Sequence, residues 1–155
     1  MEFVLSSLVL EIDVDKTKKL YQALEEVTDG CSCDGCRNYM LARERFPEAV
    51  KDFFGKLGVD PGKAAEIITW NAEDGGRALH YGGFYHLCGR LIKGDDCWQA
   101  SGEMDTEAFY PVTKGYAVGF TDSVSLPEEG LPRPVLQMEI DFHGVPWLLD
   151  KENSY

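Results

Sequence analysis

The property of this sequence that most constrains its fold is a change in hydrophobic periodicity near residue 65. Over residues 46–57 the apolar side chains recur at intervals of three and four, which is the spacing of one face of an α-helix. Over residues 67–72 they alternate, which is typical of a half-buried β-strand. We therefore predict an α+β fold, with helices in the N-terminal half and an antiparallel sheet in the C-terminal half. Because no linker or internal repeat divides the chain, residues 1–155 are expected to form a single domain.

The N-terminal half contains three helical patterns that follow a short apolar run. The run from Val4 to Val14 is rich in leucine and β-branched residues, so we predict a strand there. The first helix is predicted to follow Asp15, whose carboxylate can cap it, and to end near Val27. The other two helices are predicted over residues 37–45 and 47–57, with Gly58 ending the last one.

The first two strands of the C-terminal half form a predicted hairpin. Residues 67–72 and 78–92 both have strand character, and the tight-turn sequence Asp74-Gly75-Gly76 separates them. The second strand contains Gly82-Gly83, and consecutive glycines in a strand indicate a bulge or a close approach of another backbone.

Two further strands are predicted later in the chain. They cover residues 116–120 and 136–142. In the last one Gln137, Glu139 and Asp141 alternate with apolar residues, so we predict that these three polar side chains face solvent.

The charge of the chain excludes one class of partner. The sequence has 15 Lys and Arg residues and 27 Asp and Glu residues, so its formal net charge is −12. Proteins that bind nucleic acid need clustered Lys and Arg to displace counterions from phosphates. We therefore predict no nucleic-acid partner.

The N-terminal sequence bears on the cellular compartment. Its apolar run from Phe3 to Ile12 is interrupted by Ser6 and Ser7 and follows an acidic residue, Glu2. A membrane span needs about 20 apolar residues, and a secretory signal begins with basic residues. We therefore predict no membrane partner and a cytoplasmic location, where the five cysteines are not expected to form disulfides.

Three cysteines lie close together in the sequence. Cys31, Cys33 and Cys36 form a C-x-C-x-x-C loop, and three thiolates within six residues can converge on one soft cation. Zinc prefers four ligands in a tetrahedron. His86 and Cys88 are two residues apart in a predicted strand and therefore share a face. We predict that the three cysteines bind zinc and that His86 or Cys88 is the fourth ligand.

Other interpretations of the cysteine loop stay open. The thiols can be free, since Cys is readily buried as a small hydrophobic residue. Cys33 and Cys36 can form a redox dithiol, with the pKa of Cys36 lowered at the start of a helix. Iron–sulfur ligation is a further alternative. If zinc is bound, His80 and Cys97 are additional candidates for the fourth ligand.

The sequence has no motif of a known enzyme class. It contains no G-x-S-x-G elbow, phosphate-binding loop or H-E-x-x-H motif, so no catalytic residue is assigned. We predict a non-enzymatic module that binds a protein or a small ligand, with a structural zinc at the cysteine loop. The alternative is a thiol- or metal-dependent enzyme that uses the same loop. We expect a monomer or a weak dimer.

Several segments together resemble an uncharacterised family of short bacterial proteins. That family carries a C-x-C-x-x-C-x-N-[YF] loop, a Y-H strand and a P-W-x-L-D ending. The matching segments of this chain are Asp13–Lys16, Cys31–Tyr39, Phe46–Val50 with Phe53-Phe54, Tyr81–Gly89 and Pro146–Asp150. The family has no established activity, so the resemblance implies no catalytic residue and no cofactor. It does imply that the loop, the strand and the ending belong to one domain.

Overall fold

A computed structural model of the protein describes residues 1–127 and 130–155, and these residues form four α-helices and seven strands. The helices are α1 (Val14–Ala23), α2 (Val27–Gly30), α3 (Asp34–Ala42) and α4 (Glu48–Leu57). The strands are β1 (Glu2–Leu5), β2 (Leu8–Ile12), β3 (Glu66–Glu73), β4 (Ala78–Lys93), β5 (Tyr110–Thr113), β6 (Tyr116–Thr121) and β7 (Val135–Pro146). The helices lie in the N-terminal half and most strands in the C-terminal half, which confirms the predicted α+β fold.

β4 is the central strand of a seven-stranded antiparallel sheet. The strand order is β1-β2-β4-β7-β6-β5, and β3 also pairs with β4. Along one edge β4 pairs with β7 from Ala78 to Cys88. Along the other edge it pairs with β3 from Ala78 to Phe84 and with β2 from Gly89 to Lys93. The predicted hairpin of β3 and β4 is confirmed, and β4 also holds two further strands in register.

Between its pairings with β3 and β2, β4 faces helix α1 instead of a strand. The Asp13 N–H donates to the Cys88 carbonyl at 2.8 Å, and the Cys88 N–H donates to Thr17 Oγ1 at 3.1 Å. The Tyr21 hydroxyl donates to the His86 carbonyl at 2.8 Å. A buried backbone group left without a partner costs about 1–3 kcal/mol. Helix α1 and its N-cap residue therefore satisfy this stretch of β4, and these hydrogen bonds position the helix against the sheet.

The hydrophobic core lies between the helices and one face of the sheet. Its largest fully buried aromatic side chains are Tyr39, Phe54, Tyr81, Tyr85, Phe120 and Phe142. The predicted helical stripe over residues 46–57 packs into this core, with Phe53 only partly buried. The stripe therefore has the structural role that its spacing predicts.

Two buried tyrosine hydroxyls link helix α3 to the central strand. Tyr85 donates to the Pro61 carbonyl at 2.7 Å, which leaves Tyr39 as the donor in the 2.5 Å hydrogen bond between Tyr39 and Tyr85. Burial raises the pKa of both phenols. Both groups therefore stay protonated and act as hydrogen-bond donors within the core.

The opposite face of the sheet is more buried than its sequence pattern indicates. The prediction that Gln137 and Glu139 face solvent is wrong, because the segments that contain Trp98 and Ser125 cover them. Trp98 Nε1 donates to Glu139 Oε1 at 2.8 Å, and Gln137 Nε2 donates to the same oxygen at 2.7 Å. Burial raises the pKa of Glu139. Asp141 is only partly buried.

The structure also changes several predicted boundaries. The first apolar run forms a hairpin of β1 and β2, whose turn contains Ser6 with a φ of 58°. Helix α1 is capped by Asp13 rather than Asp15, and it ends at Ala23 rather than near Val27. Strand β5 was not predicted, because its four residues are too few to show a period.

The predicted end of the third helical pattern at Gly58 is confirmed. Helix α4 ends at Gly58, whose φ of 80° is the left-handed conformation that glycine adopts without steric cost.

The longest helices, α1 and α4, have 10 residues each. Over the described ranges, no helix is long and apolar enough to cross a membrane.

The paired glycines of β4 allow two close approaches. A Cβ atom on Gly83, which has a φ of 135°, would lie 2.3 Å from the Glu66 carbonyl oxygen. A Cβ atom on Gly82 would lie 2.5 Å from Trp70 Nε1. The register of β4 does not shift at these two residues, so of the two predicted explanations the close approach is the one observed.

We expect Gly83→Ala to lower the free energy of unfolding by more than about 2 kcal/mol, because the added methyl group meets backbone atoms that cannot move aside. Chemical denaturation measures the change. The matched control is Gly55→Ala in α4, where the space around the new methyl group is open and a gain of about 0.5–1 kcal/mol is expected. Similar effects of the two substitutions would contradict this prediction.

Candidate metal centre

The structure brings the three cysteines of the C-x-C-x-x-C loop together. Cys31 and Cys33 lie between α2 and α3, and Cys36 lies in the first turn of α3. Their three Sγ atoms lie within 4.8 Å of one another, with Cys31 Sγ 3.2 Å from Cys33 Sγ. Cys33 is exposed, Cys31 is half-buried and Cys36 is buried. The cluster is therefore a small group of thiols that is open to solvent on one side.

The loop conformation follows from how helix α3 begins. Cys33 is the N-cap residue, and its Sγ accepts a hydrogen bond from the Cys36 N–H at 3.4 Å. Serine, threonine and aspartate more often cap helices in this way. Here the sulfur of Cys33 takes that role, so the capping interaction itself holds Cys33 beside Cys36.

Gly35 fixes the start of α3 against the rest of the protein. Its N–H donates to the Tyr155 hydroxyl at 2.8 Å, and its carbonyl accepts from the Tyr81 hydroxyl at 2.7 Å. A Cβ atom at this position would lie 2.1 Å from Thr69 Oγ1. A larger residue therefore cannot occupy this position without displacing the Thr69 side chain of β3.

The C-terminal segment also contacts α3. Buried Asn38 accepts from the Leu148 N–H at 2.6 Å and donates to the Pro146 carbonyl at 3.0 Å. Lys151 Nζ lies 2.8 Å from Asp34 Oδ2. The segment that contains the P-W-x-L-D ending and the cysteine loop are thus parts of one packed unit.

The three thiols do not share one chemical environment. Hydrogen bonds from the Cys33 N–H and from the Cys33 and Cys36 thiols lower the pKa of Cys31. Burial raises the pKa of Cys36, and its thiol neighbours raise it further. The lowered pKa expected for Cys36 in the dithiol interpretation is therefore wrong, because burial outweighs the effect of the helix start.

A cavity of about 580 Å³ adjoins the cysteine cluster. Cys31 and Cys36 line one part of it, and His86 lines another. The charged residues in its wall are Glu25, Glu26, Lys63 and Glu66. Three carboxylates against one ammonium group make the local charge negative, which attracts cations. His86 Nε2 is hydrogen-bonded at 3.0 Å to the Ser125 carbonyl.

The remaining predicted ligands lie elsewhere. Cys88 is buried beside Thr17 and lines a different cavity together with Asp13 and Lys16. Cys97 is fully buried under Gly119, on the opposite face of the sheet from the helices. Among the described residues, the group of ligand atoms that meets at the loop consists of the three cysteine sulfurs.

His80 belongs to a second cluster that the sequence did not reveal. His80, Asp141 and His143 bring their ligand atoms within 4.8 Å of one another. The motif Asp141-Phe142-His143 is a sequence signal for part of it, because alternate residues of a strand share a face. The proximity of Asp141 and His143 to His80 depends on the register of β4 and β7, which the sequence motif does not reveal.

Comparison of this chain with models of protein families, with curated proteins and with solved structures finds no match. The resemblance to the bacterial family with the cysteine loop therefore stays a prediction.

We expect a thiol reagent to distinguish the five cysteines by their exposure. In the folded, chelator-treated protein, maleimide should modify Cys33 and Cys31, because these two side chains reach solvent. Buried Cys88 and Cys97 should react only after denaturation. Peptide mapping by mass spectrometry measures the order, and labelling of Cys97 as fast as Cys33 in the folded protein would contradict it.

Proposed function

We propose that this protein is a zinc-binding module in which Cys31, Cys33 and Cys36 hold one zinc ion at the start of α3. The observation that carries the proposal is the convergence of three Sγ atoms within 4.8 Å. A Zn–S bond of about 2.3 Å in a tetrahedron places sulfur atoms about 3.8 Å apart. The thiols are thus already near the spacing that the ion needs.

The chemistry of the donor set favours zinc over harder cations. Thiolates are soft ligands that select zinc, copper(I) and iron–sulfur clusters, whereas magnesium and calcium prefer oxygen. The three ligands lie at the N-terminus of the nine-residue helix α3, where unpaired N–H groups favour negative charge. The lowered pKa of Cys31 favours its thiolate form, which is the form that binds metal.

The fourth ligand in this proposal is His86. Of the two residues predicted for that position, His86 lines the same cavity as Cys31 and Cys36, whereas Cys88 lies beside α1 and lines another cavity. Imidazole is a common zinc ligand and gives a Cys₃His set, which is a structural type. In this proposal the His86 ring exchanges its hydrogen bond to the Ser125 carbonyl for the ion.

The zinc has a structural role in this proposal. Three of its ligands lie in a six-residue loop that also contacts β3, β4 and the C-terminal segment through Gly35. An ion at the loop stabilises all of these contacts, since metal-binding free energy adds to folding free energy. The adjoining cavity of about 580 Å³ has the volume of a small-molecule site, which supports a ligand-binding module.

We expect the purified protein to contain one equivalent of zinc and Cys33→Ser to remove it, because a serine hydroxyl is a poor substitute for a thiolate ligand. The melting temperature should fall both in this variant and on chelation of the wild type. Native mass spectrometry and thermal melting measure the two effects. Cys97→Ser is the matched control, since Cys97 is buried away from the loop, and it should keep its zinc.

A metal content below about 0.2 equivalents, together with a melting temperature that chelation does not change, would overturn the zinc proposal. Loss of zinc from Cys97→Ser as well as from Cys33→Ser would also count against it, because unfolding and not ligand loss would then explain the result.

We expect His86→Ala to weaken zinc binding by more than about 10- to 100-fold. Loss of a residue that only contacts a metal ligand already has an effect of that size, and His86 is a ligand in this proposal. Cys88→Ser should leave the affinity unchanged. Competition with a chromophoric chelator measures both dissociation constants. A large loss of affinity in Cys88→Ser with none in His86→Ala would reverse the assignment of the fourth ligand.

A second candidate function is a thiol-dependent enzyme. Its support is the contact of 3.2 Å between Cys31 Sγ and Cys33 Sγ, together with the lowered pKa of half-buried Cys31. Reactive cysteines combine a lowered pKa with access to solvent. Metal content separates the two functions, because the thiol enzyme proposed here uses Cys31 as a free thiolate, whereas the module holds its zinc as purified.

A further inference from the structure

We propose a second metal site, formed by His80, His143 and Asp141, for a divalent first-row transition ion. The site lies outside the cysteine loop and is independent of the zinc proposed there. Two of the three histidines of the chain belong to it. Glu73 is a positioning residue for His143 in this proposal.

Two irregularities in the sheet create the site. Leu79 pairs with Val145 and Tyr81 with Phe142, so one residue of β4, His80, lies opposite two residues of β7. Bulges of this kind redirect side chains and are common beside functional sites.

The second irregularity lies on the other edge of β4. Thr69 pairs with Tyr81 and Asn71 with His80, so Trp70 is the extra residue of β3. The two strands that flank His80, β3 and β7, therefore each have a bulge opposite this residue. The ring of Trp70 lies 6.4 Å from the His80 ring and is more than half exposed.

The ligand atoms point at a common region. His80 Nε2 lies 2.5 Å from Asp141 Oδ1, and His143 Nε2 lies 3.5 Å from the same oxygen. The two imidazole rings are stacked, with centroids 3.8 Å apart. Metal–nitrogen and metal–oxygen bonds of about 2.1 Å place neighbouring ligand atoms about 3–3.5 Å apart. A small rotation of the side chains therefore admits an ion between the three atoms.

The outer nitrogen of His143 has the partner that metal-bound histidines usually have. His143 Nδ1 lies 2.8 Å from Glu73 Oε2, and Glu73 Oε1 accepts from the Gly144 N–H at 2.7 Å. A carboxylate on the far nitrogen fixes the ring orientation and the tautomer, so that Nε2 is the free acceptor. This second carboxylate distinguishes the cluster from a simple ion pair between His80 and Asp141.

The donor set indicates the class of metal. Two imidazole nitrogens and one carboxylate oxygen suit divalent iron, cobalt, nickel or zinc, whereas calcium and magnesium prefer oxygen ligands alone. Three protein ligands leave coordination positions open. His143 and Asp141 are partly exposed, so water or a small ligand can reach those positions.

The test uses cobalt(II) on the full chain after a chelator has removed its resident metal, because cobalt reports its ligands spectroscopically. We expect two equivalents to bind. One should give an intense thiolate-to-cobalt charge-transfer band from the cysteine loop, and the other should give only the weak bands of a nitrogen and oxygen site. His143→Ala should abolish the second equivalent and leave the thiolate band unchanged. Because the side chain of His143 is half exposed, the variant should fold as the wild type does.

Glu73→Gln tests the positioning role, and Glu2→Gln, an exposed carboxylate of β1, is its matched control. Glu73→Gln should weaken the second equivalent by about 10- to 100-fold and alter its cobalt spectrum. Glu2→Gln should do neither. The melting temperatures of both variants should match that of the metal-free wild type.

Two results would overturn the second site. One is the absence of a nitrogen and oxygen cobalt spectrum at free cobalt up to about 1 mM. The other is equal binding of the second equivalent by the wild type and by His143→Ala. Loss of the thiolate band alone would contradict the zinc proposal and leave the second site standing, so the two proposals fail separately.

Discussion

The backbone hydrogen bonds of β4 hold three strands and one helix in place. This strand pairs with β7 along one edge and with β3 and β2 along the other. Where β3 has ended and β2 has not begun, Thr17 and Tyr21 of α1 satisfy its backbone. One strand therefore positions both sheet edges and the first helix. Glycine is needed at Gly83, because the backbone of β3 at Glu66 occupies the space that a Cβ atom would fill.

The two proposed metal sites use this framework in different ways. The cysteine loop is held by contacts to the first turn of α3, where Gly35 meets Tyr81 of β4 and Tyr155 of the C-terminal segment. The histidine cluster is built into the sheet itself, where bulges on both sides of His80 place His143 beside it. A site on a loop can adjust to an ion, whereas a site on paired strands is largely preformed.

Much of the fold and part of the candidate site were predictable from local pattern. The change of period near residue 65 indicated the fold class, and the glycines after Asp74 indicated the hairpin. Each of these signals is local, because it depends only on residues that are close together in the sequence. Burial of Gln137 and Glu139 was not predictable. Their alternation with apolar residues shows only that they share a face, and the segment with Trp98 that covers this face comes from about 40 residues earlier in the chain.

Three thiols within six residues need only a loop and the start of a helix to lie close together, so their proximity follows from the sequence alone. The helical stripe and the main strand periods also follow from the sequence, because they depend on neighbours in the chain. Which distant groups meet depends instead on the tertiary structure. His86 shares a cavity with the loop, and His80 meets His143 across 63 residues. The physical reason is that strand register and bulges, set by pairing between distant segments, determine which side chains face one another.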